Sequence, residues 1–332
     1  MFGKNTLGDT GIEPIKKIEE KDIVELIKKV STILIEAYPN SNLSYINIYK
    51  ILLETPMYYA KIPDGMAKVN YYYKNSSIYF EENLDLSNID EYLLHEIIHK
   101  LQEKRDKHGN LVRIGICEVN VLNVKGMGIN EGAIQHIISK ALNNDEKEIN
   151  TYGIELKSRS NYYPLLSNLI RQLEILLGEE KLIESTLMGN EEFKIQIIDN
   201  LGFGEYKKIE KNMNTIYKNA ISNKFEVIRN IYIETQNIIF TSYFNNIIKR
   251  VQSTDEIEEI NEKLMLYKNV IGTTDNYSDF DEFCKEFQQK IEYKKQEIKE
   301  KTSLMVIKNN LFFNIIKKIK KLFINPENEY NK

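Results

Sequence analysis

The chain has 332 residues, 42% hydrophobic and 28% charged. That is a globular balance over about two domains' length, and it excludes a wholly disordered chain and a multispan membrane protein. Lys and Arg total 45 against 49 Asp and Glu, a net charge of -4, so a general polyanion binder is excluded and no nucleic-acid partner is expected. Cys117 and Cys284 are too few and too far apart for a disulfide framework or a cysteine zinc site.

In chain order, Met1 to Pro14 is polar and lacks the apolar core of a signal peptide. No apolar run reaches the length of about 18 residues that a membrane span needs. The default expectation is a cytoplasmic protein, with leaderless export left open. Residues 14–55 read as two helices separated by Tyr38-Pro39-Asn40-Ser41. Tyr-, Ile- and Val-rich runs at Met57–Ile62, Lys68–Tyr73 and Ser77–Glu82 read as strands, the last two joined by a hairpin turn at Lys74-Asn75-Ser76. Ser87 or Asn88 is expected to cap the next helix, which runs to about Lys104. Leu111–Val119 and Leu122–Lys125 read as strands, followed by a helix from Asn130 to about Leu142. A further helix covers Tyr163–Leu177 and is closed by Gly178, with shorter ones up to Leu201.

Gly202-Phe203-Gly204 is the expected domain boundary. Beyond it Glu205–Val251, Glu256–Val270 and Asp281–Lys301 are helical by apolar period and rich in Lys and Glu. In Leu311–Ile324 the apolar residues follow helical spacing, and Lys317, Lys318, Lys320 and Lys321 fill the other face. Such a segment is either a helix docked on its own domain or a peripheral membrane or acidic-partner helix. The tail, residues 326–332, is expected to be disordered. The expectation is an α+β domain over residues 1–204, in lobes 1–104 and 105–204, followed by an all-α domain over 205–325.

The four histidines, His95, His99, His108 and His136, crowd into one short stretch. Residues 95–99 read His-Glu-Ile-Ile-His on a predicted helix. One helical turn separates i from i+4, so both imidazoles project from one face and can bind one zinc ion. Glu96 lies about 100° round the helix, placed to serve a metal-activated water without being a ligand. Leu94, Ile97, Ile98 and Leu101 form the core stripe, which leaves His95 and His99 facing a cleft.

A catalytic zinc takes three protein ligands and leaves one position open. His108 lies beyond the helix, and Arg105 occupies the position where a metzincin places its third histidine. The next helix offers Glu131 and His136, which point to different sides. Glu131 flanks the stripe of Ile134, Ile137, Ile138 and Ala141, and helix-face geometry favours it over His136.

His95-Glu96-Ile97-Ile98-His99, followed by Gly128-Ile129-Asn130-Glu131-Gly132, resembles the gluzincin branch of zinc metallopeptidases over about residues 57–177. The resemblance implies a zincin-like domain, with a small sheet on the active-site helix and a helical second lobe. It implies one Zn2+ held by His95, His99 and Glu131, Glu96 as general base, and a peptide or protein substrate. The strand before the active-site helix is expected to pair with extended substrate. Two features depart from the family: Gln135 stands where an aspartate often orients the first histidine, and no tyrosine precedes Glu131 over residues 122–129. The oxyanion donor is then expected from Tyr162 or Tyr163, with Tyr163 carried forward. A non-catalytic, zinc-stabilised helical protein-binding module is the competing reading.

Overall fold

The computed structural model describes residues 7–8, 10–120, 123–220, 224–274 and 279–324. Leu122 and the 326–332 tail lie outside them. The fold is α+β, with small sheets among many helices. It divides into two compact units, residues 1–243 with 265–277, and residues 244–264 with 278–332.

The first unit opens with β1 (Glu13–Lys17), α1 (Glu20–Ala37), α2 (Tyr45–Leu53), β2 (Met57–Lys61), β3 (Val69–Tyr72) and β4 (Ser77–Glu81). The three strands expected between residues 57 and 82 form, and β1 adds a fourth. The sheet order is β1-β2-β4-β3, with β2 and β4 parallel and the other pairs antiparallel. The β3–β4 hairpin is therefore turned so that β4 sits in the middle. Its Ser77, Ile78, Tyr79 and Phe80 are all buried, as a strand covered on both faces requires. β3 is left at the edge. The strand immediately before the histidine-bearing helix, expected to pair with extended substrate, is therefore interior, and the two edges of the sheet belong to β1 and β3.

Next come α3 (Glu91–Leu101), a meander of β5 (Glu103–Arg105), β6 (Leu111–Ile114), β7 (Cys117–Asn120) and β8 (Asn123–Lys125), and α4 (Met127–Ala141). A hairpin of β9 (Lys147–Thr151) and β10 (Ile154–Ser158) follows, then α5 (Pro164–Leu177), α6 (Glu180–Met188), α7 (Glu192–Leu201) and α8 (Phe203–Lys218). α4 is the hub. Residues 128–139 are buried all round, because α1, α3, α5, α6 and α8 surround it. Close approach is possible where side chains vanish: a Cβ on Gly132 would lie 2.8 Å from the Leu166 carbonyl oxygen of α5. The Tyr38 hydroxyl donates to the Ile137 carbonyl at 2.7 Å, tying the end of α1 to the hub.

The remaining helices are α9 (Phe225–Arg250), α10 (Thr254–Lys268) and α11 (Asp279–Ile324). The division between units passes within α9 and not at Gly202-Phe203-Gly204. Gly202 does end α7 with φ 108, but α8 then folds back against α4 and α7 and belongs to the first unit. In the second unit, Phe283 and Phe287 stack at 5.4 Å, and Phe244 tilts against Phe287 at the same spacing. Segments 281–301 and 311–324, expected as separate helices, are one continuous helix, α11. Among the described residues no helix is long and apolar enough to cross a membrane.

Candidate metal centre

α3 begins at Asp90, whose carboxylate accepts from the Leu93 N–H at 2.9 Å. Ser87 and Asn88 are not the cap, because the helix starts at Glu91 and Asp90 is the residue immediately before it. Leu94, Ile97, Ile98 and Leu101 are buried as the core stripe. The helix stops at Gln102, before Lys104, because residues 103–105 pair as a strand with β6. α4 enters through Gly126, which has φ 86, a conformation that glycine adopts without steric penalty.

These two helices bring three donors together. The Nε2 atoms of His95 and His99 lie 3.0 Å apart. Glu131 places its Oε2 3.2 Å from His95 Nε2 and its Oε1 3.6 Å from His99 Nε2. Tetrahedral donors at zinc-like bond lengths are spaced by about 3.3 Å, so the triangle fits such a metal ion. His95, His99 and Glu131 form a largely buried group that can hold one.

The surroundings orient both rings. His99 Nδ1 lies 3.3 Å from Gln102 Oε1, so the ring proton sits on Nδ1 and Nε2 keeps its lone pair. Gln102 is itself anchored, donating to Asn130 Oδ1 at 3.3 Å and accepting from Asn130 Nδ2 at 3.2 Å. Around His95, Gln135 Nε2 lies 2.7 Å from Nδ1, and the Ser160 hydroxyl lies 3.1 Å from Gln135 Oε1. A half-turn of the amide exchanges its oxygen and nitrogen, and a hydroxyl serves either as donor or as acceptor. The Gln135 side chain thus occupies the orienting position beside His95. With its oxygen on Nδ1, it leaves His95 Nε2 open to a metal.

Burial alone would raise the Glu131 carboxyl, but His99 and His95 more than reverse this and hold it below the ordinary range. Burial pulls both imidazoles down. At His95 the hydrogen bond and charge of Glu131 outweigh that, and its value rises, whereas at His99 burial prevails. Glu96 stands apart from the triangle: its Oε2 accepts from the Tyr71 N–H of β3 at 2.7 Å.

His95, Glu96, Gln135 and Tyr163 share a cleft of about 400 Å³ whose other walls include Tyr92, Tyr152, Tyr162 and Ile216. Tyr162 and Tyr163 diverge within it. Tyr162 packs on Tyr92 with ring centroids 4.0 Å apart. Tyr163 is the residue whose phenol is raised by burial and then by the charges of Glu131 and Glu96. It sits at φ 47, ψ 46 immediately before Pro164, a left-handed conformation costing a tyrosine on the order of 1 kcal/mol. Tyr217 of α8 lies against it, ring centroids 5.6 Å apart, and its phenol is raised by burial and then by Glu131.

The other two histidines lie elsewhere. His108 is exposed in the β5–β6 turn. His136 faces the opposite side of α4, with Nε2 2.6 Å from Glu174 Oε2. Lys140 Nζ donates to Glu174 Oε1 at 2.5 Å. These residues line a larger cavity of about 750 Å³, whose wall also includes Arg171, paired with Glu146 at 2.6 Å. It contains no part of the donor set.

Glu174 supplies a test of stability against pH. Burial would raise its carboxyl, yet the His136 hydrogen bond and Lys140 bring it down to about 2 from an ordinary 4.5. A depressed folded value means stability that is full above the unfolded value and lost as pH falls from 4.5 towards 2. Its ceiling is about 3 kcal/mol. Urea unfolding of the wild type and Glu174→Gln should differ most above pH 5 and converge towards pH 2. A gap independent of pH would refute this account.

Sequence reasoning reached His95, Glu96, His99, Glu131 and Gln135, and the structure brings them together. It missed Gln102, Tyr71, Ser160 and Tyr217. Gln102 carried a readable signal, one turn beyond His99 on the same face. Tyr217 carried none, since only tertiary folding returns α8 to the cleft. Compared with known proteins, the chain matches no family model, no curated protein and no solved structure.

Proposed function

We propose that the chain is a zinc-dependent endopeptidase of gluzincin type, with the first unit as a zincin-like catalytic domain. The observation carrying this reading is the His95–His99–Glu131 donor set beside a carboxylate, Glu96, that is held separately by the Tyr71 N–H in the same cleft. Three protein ligands of nitrogen and oxygen type suit a catalytic zinc better than a closed structural one. Zinc, when bound, supplies a Lewis acid that brings water to a pKa of about 7 and polarises the scissile carbonyl.

The protein's own groups supply the rest. Glu96 takes the proton of the attacking water and returns it to the leaving amine. The Tyr71 N–H fixes the carboxylate oxygen that does this, and the outer edge of β3 beside it accepts the backbone of an extended peptide. Gln135 and Gln102 hold the two imidazoles with Nε2 inward. Tyr163, kept neutral, donates a hydrogen bond to the developing oxyanion, and Tyr217 braces its ring.

Tyr163→Phe should then lower kcat by about 10²–10³-fold with little change in KM, while Tyr217→Phe loses less than about tenfold. Equal rates for Tyr163→Phe and the wild type would remove Tyr163 from the mechanism.

The direct test is metal analysis joined to a peptide-library cleavage profile, with and without chelator. One zinc per chain, with cleavage lost on chelation and restored by zinc, is the expected result. Zinc whose removal unfolds the chain, with no peptide cleaved at any stage, would instead support the non-catalytic module.

A further inference from the structure

α11 outruns everything it packs on. It spans 46 residues, about 69 Å at an ideal rise. Its first half is seated, with Phe280, Phe283, Phe287, Ile291 and Ile298 buried. From Lys299 to Lys320 no side chain is buried. The exposed residues include large apolar ones: Leu304 and Leu311 are each 58% exposed, Phe312 62%, Ile315 54% and Ile319 47%. At 100° per residue these five and Ile316 fall within an arc of about 140°. Lys317, Lys318 and Lys320 take the remaining circumference together with Asn310 and Asn314, and Val306, Ile307 and Phe313 are the apolar residues outside the arc.

Charge decides what covers this face. Between Lys301 and Lys320 the sequence has five lysines and no Asp or Glu, in a chain of net charge -4. A second copy of the helix would set lysines against lysines with no acid to pair, and Lys308 falls inside the apolar arc, where it would interrupt a coiled-coil seam. Over its described residues α11 is not apolar enough to cross a membrane. An anionic bilayer surface satisfies both halves at once. The apolar arc sinks to the acyl boundary, the lysines meet lipid phosphates, and Lys308 extends its stem to reach them.

We propose that residues 304–320 of α11 form a membrane-surface helix that docks the protein on anionic lipid. This inference is independent of the metal centre.

The full chain is tested by co-sedimentation with phosphatidylcholine vesicles, with and without phosphatidylserine. Expected is binding to the mixed vesicles at least about tenfold tighter than to phosphatidylcholine alone, weakening as salt is raised. The triple change K317E/K318E/K320E should lower that affinity by about a hundredfold or more. F312S/I315S/I319S, which keeps every charge, should also lose binding. All six positions are solvent-exposed or face away from the packed half, so thermal unfolding should be unchanged in both variants. Because the chain has no tryptophan, Phe312→Trp gives a single reporter, and its emission should shift to the blue only with anionic vesicles. Equal binding to both vesicle types, no binding, or an unshifted Phe312→Trp emission would overturn the proposal. A wild-type dimer dissociated by F312S/I315S/I319S, without lipid binding, would assign the face to a second copy.

Discussion

Glu96→Gln should reduce peptide turnover by about 10²–10⁴-fold, the range that a positioned general base contributes, and should leave the metal content unchanged. The substitution keeps the side chain's size and keeps an oxygen for the Tyr71 N–H, which Glu96 Oε2 now accepts at 2.7 Å. What it removes is the ability to take a proton. Glu96 is outside the His95–His99–Glu131 triangle, so one metal per chain should still bind. Glu131→Gln makes the contrast. Glu131 is buried between two imidazoles and is the only carboxylate in the donor set, so its loss should lower metal affinity and turnover together. Metal analysis and kcat measured on both variants separate the roles. A clean Glu96→Gln preparation that retains wild-type turnover would end the proposal that Glu96 is the base.

The parts of this site that sequence could reach are those governed by one helix at a time. His95, Glu96 and His99 are set by the periodicity of α3, whose buried stripe of Leu94, Ile97, Ile98 and Leu101 leaves the imidazoles on the other side. Glu131 over His136 was a question of helix face, and the opposite pairing of His136 with Glu174 follows the same geometry. Reading failed where a segment's neighbours outweigh its own pattern. Glu13-Pro14-Ile15-Lys16-Lys17 is charged, carries a proline and is exposed throughout, yet it is a strand because β2 offers it an edge. In the β9–β10 hairpin β10 does alternate, with Ile154, Leu156 and Ser158 buried and Glu155 and Lys157 exposed, but β9 is mostly polar and exposed and is defined by its pairing. β4 lies between β2 and β3 because a parallel pairing intervenes, and no local turn signal encodes that order. The glycines at 202 and 204 break the helical pattern without breaking the domain, since α8 continues the packing around α4.

That packing makes a second large effect predictable, and it comes from a residue with no side chain. Gly128 lies one turn before Glu131 on α4. A Cβ added there would sit 2.2 Å from the carbonyl oxygen of Met213 and 2.3 Å from its carbon. Both are backbone atoms of α8, so no rotamer change relieves the clash and the helices must part. Parting them also loosens the Asn214 side chain, whose Oδ1 accepts from the Gly128 N–H at 2.7 Å. Gly128→Ala should therefore destabilise the fold by about 3 kcal/mol or more, at the upper end for overpacking. Because α4 also carries Glu131 and Gln135, the shift should weaken metal binding in the molecules that remain folded. Gly204→Ala is the control. It lies in the first turn of α8 with nothing within 4 Å of an added Cβ, and the same methyl should leave stability unchanged or raise it by about 0.5 kcal/mol. Urea unfolding of the two variants, with zinc affinity measured on each, reads both effects. The two outcomes differ because only Gly128 meets the backbone of α8, and a Gly128→Ala protein as stable and as metal-competent as the wild type would show that the two helices do not meet at that residue.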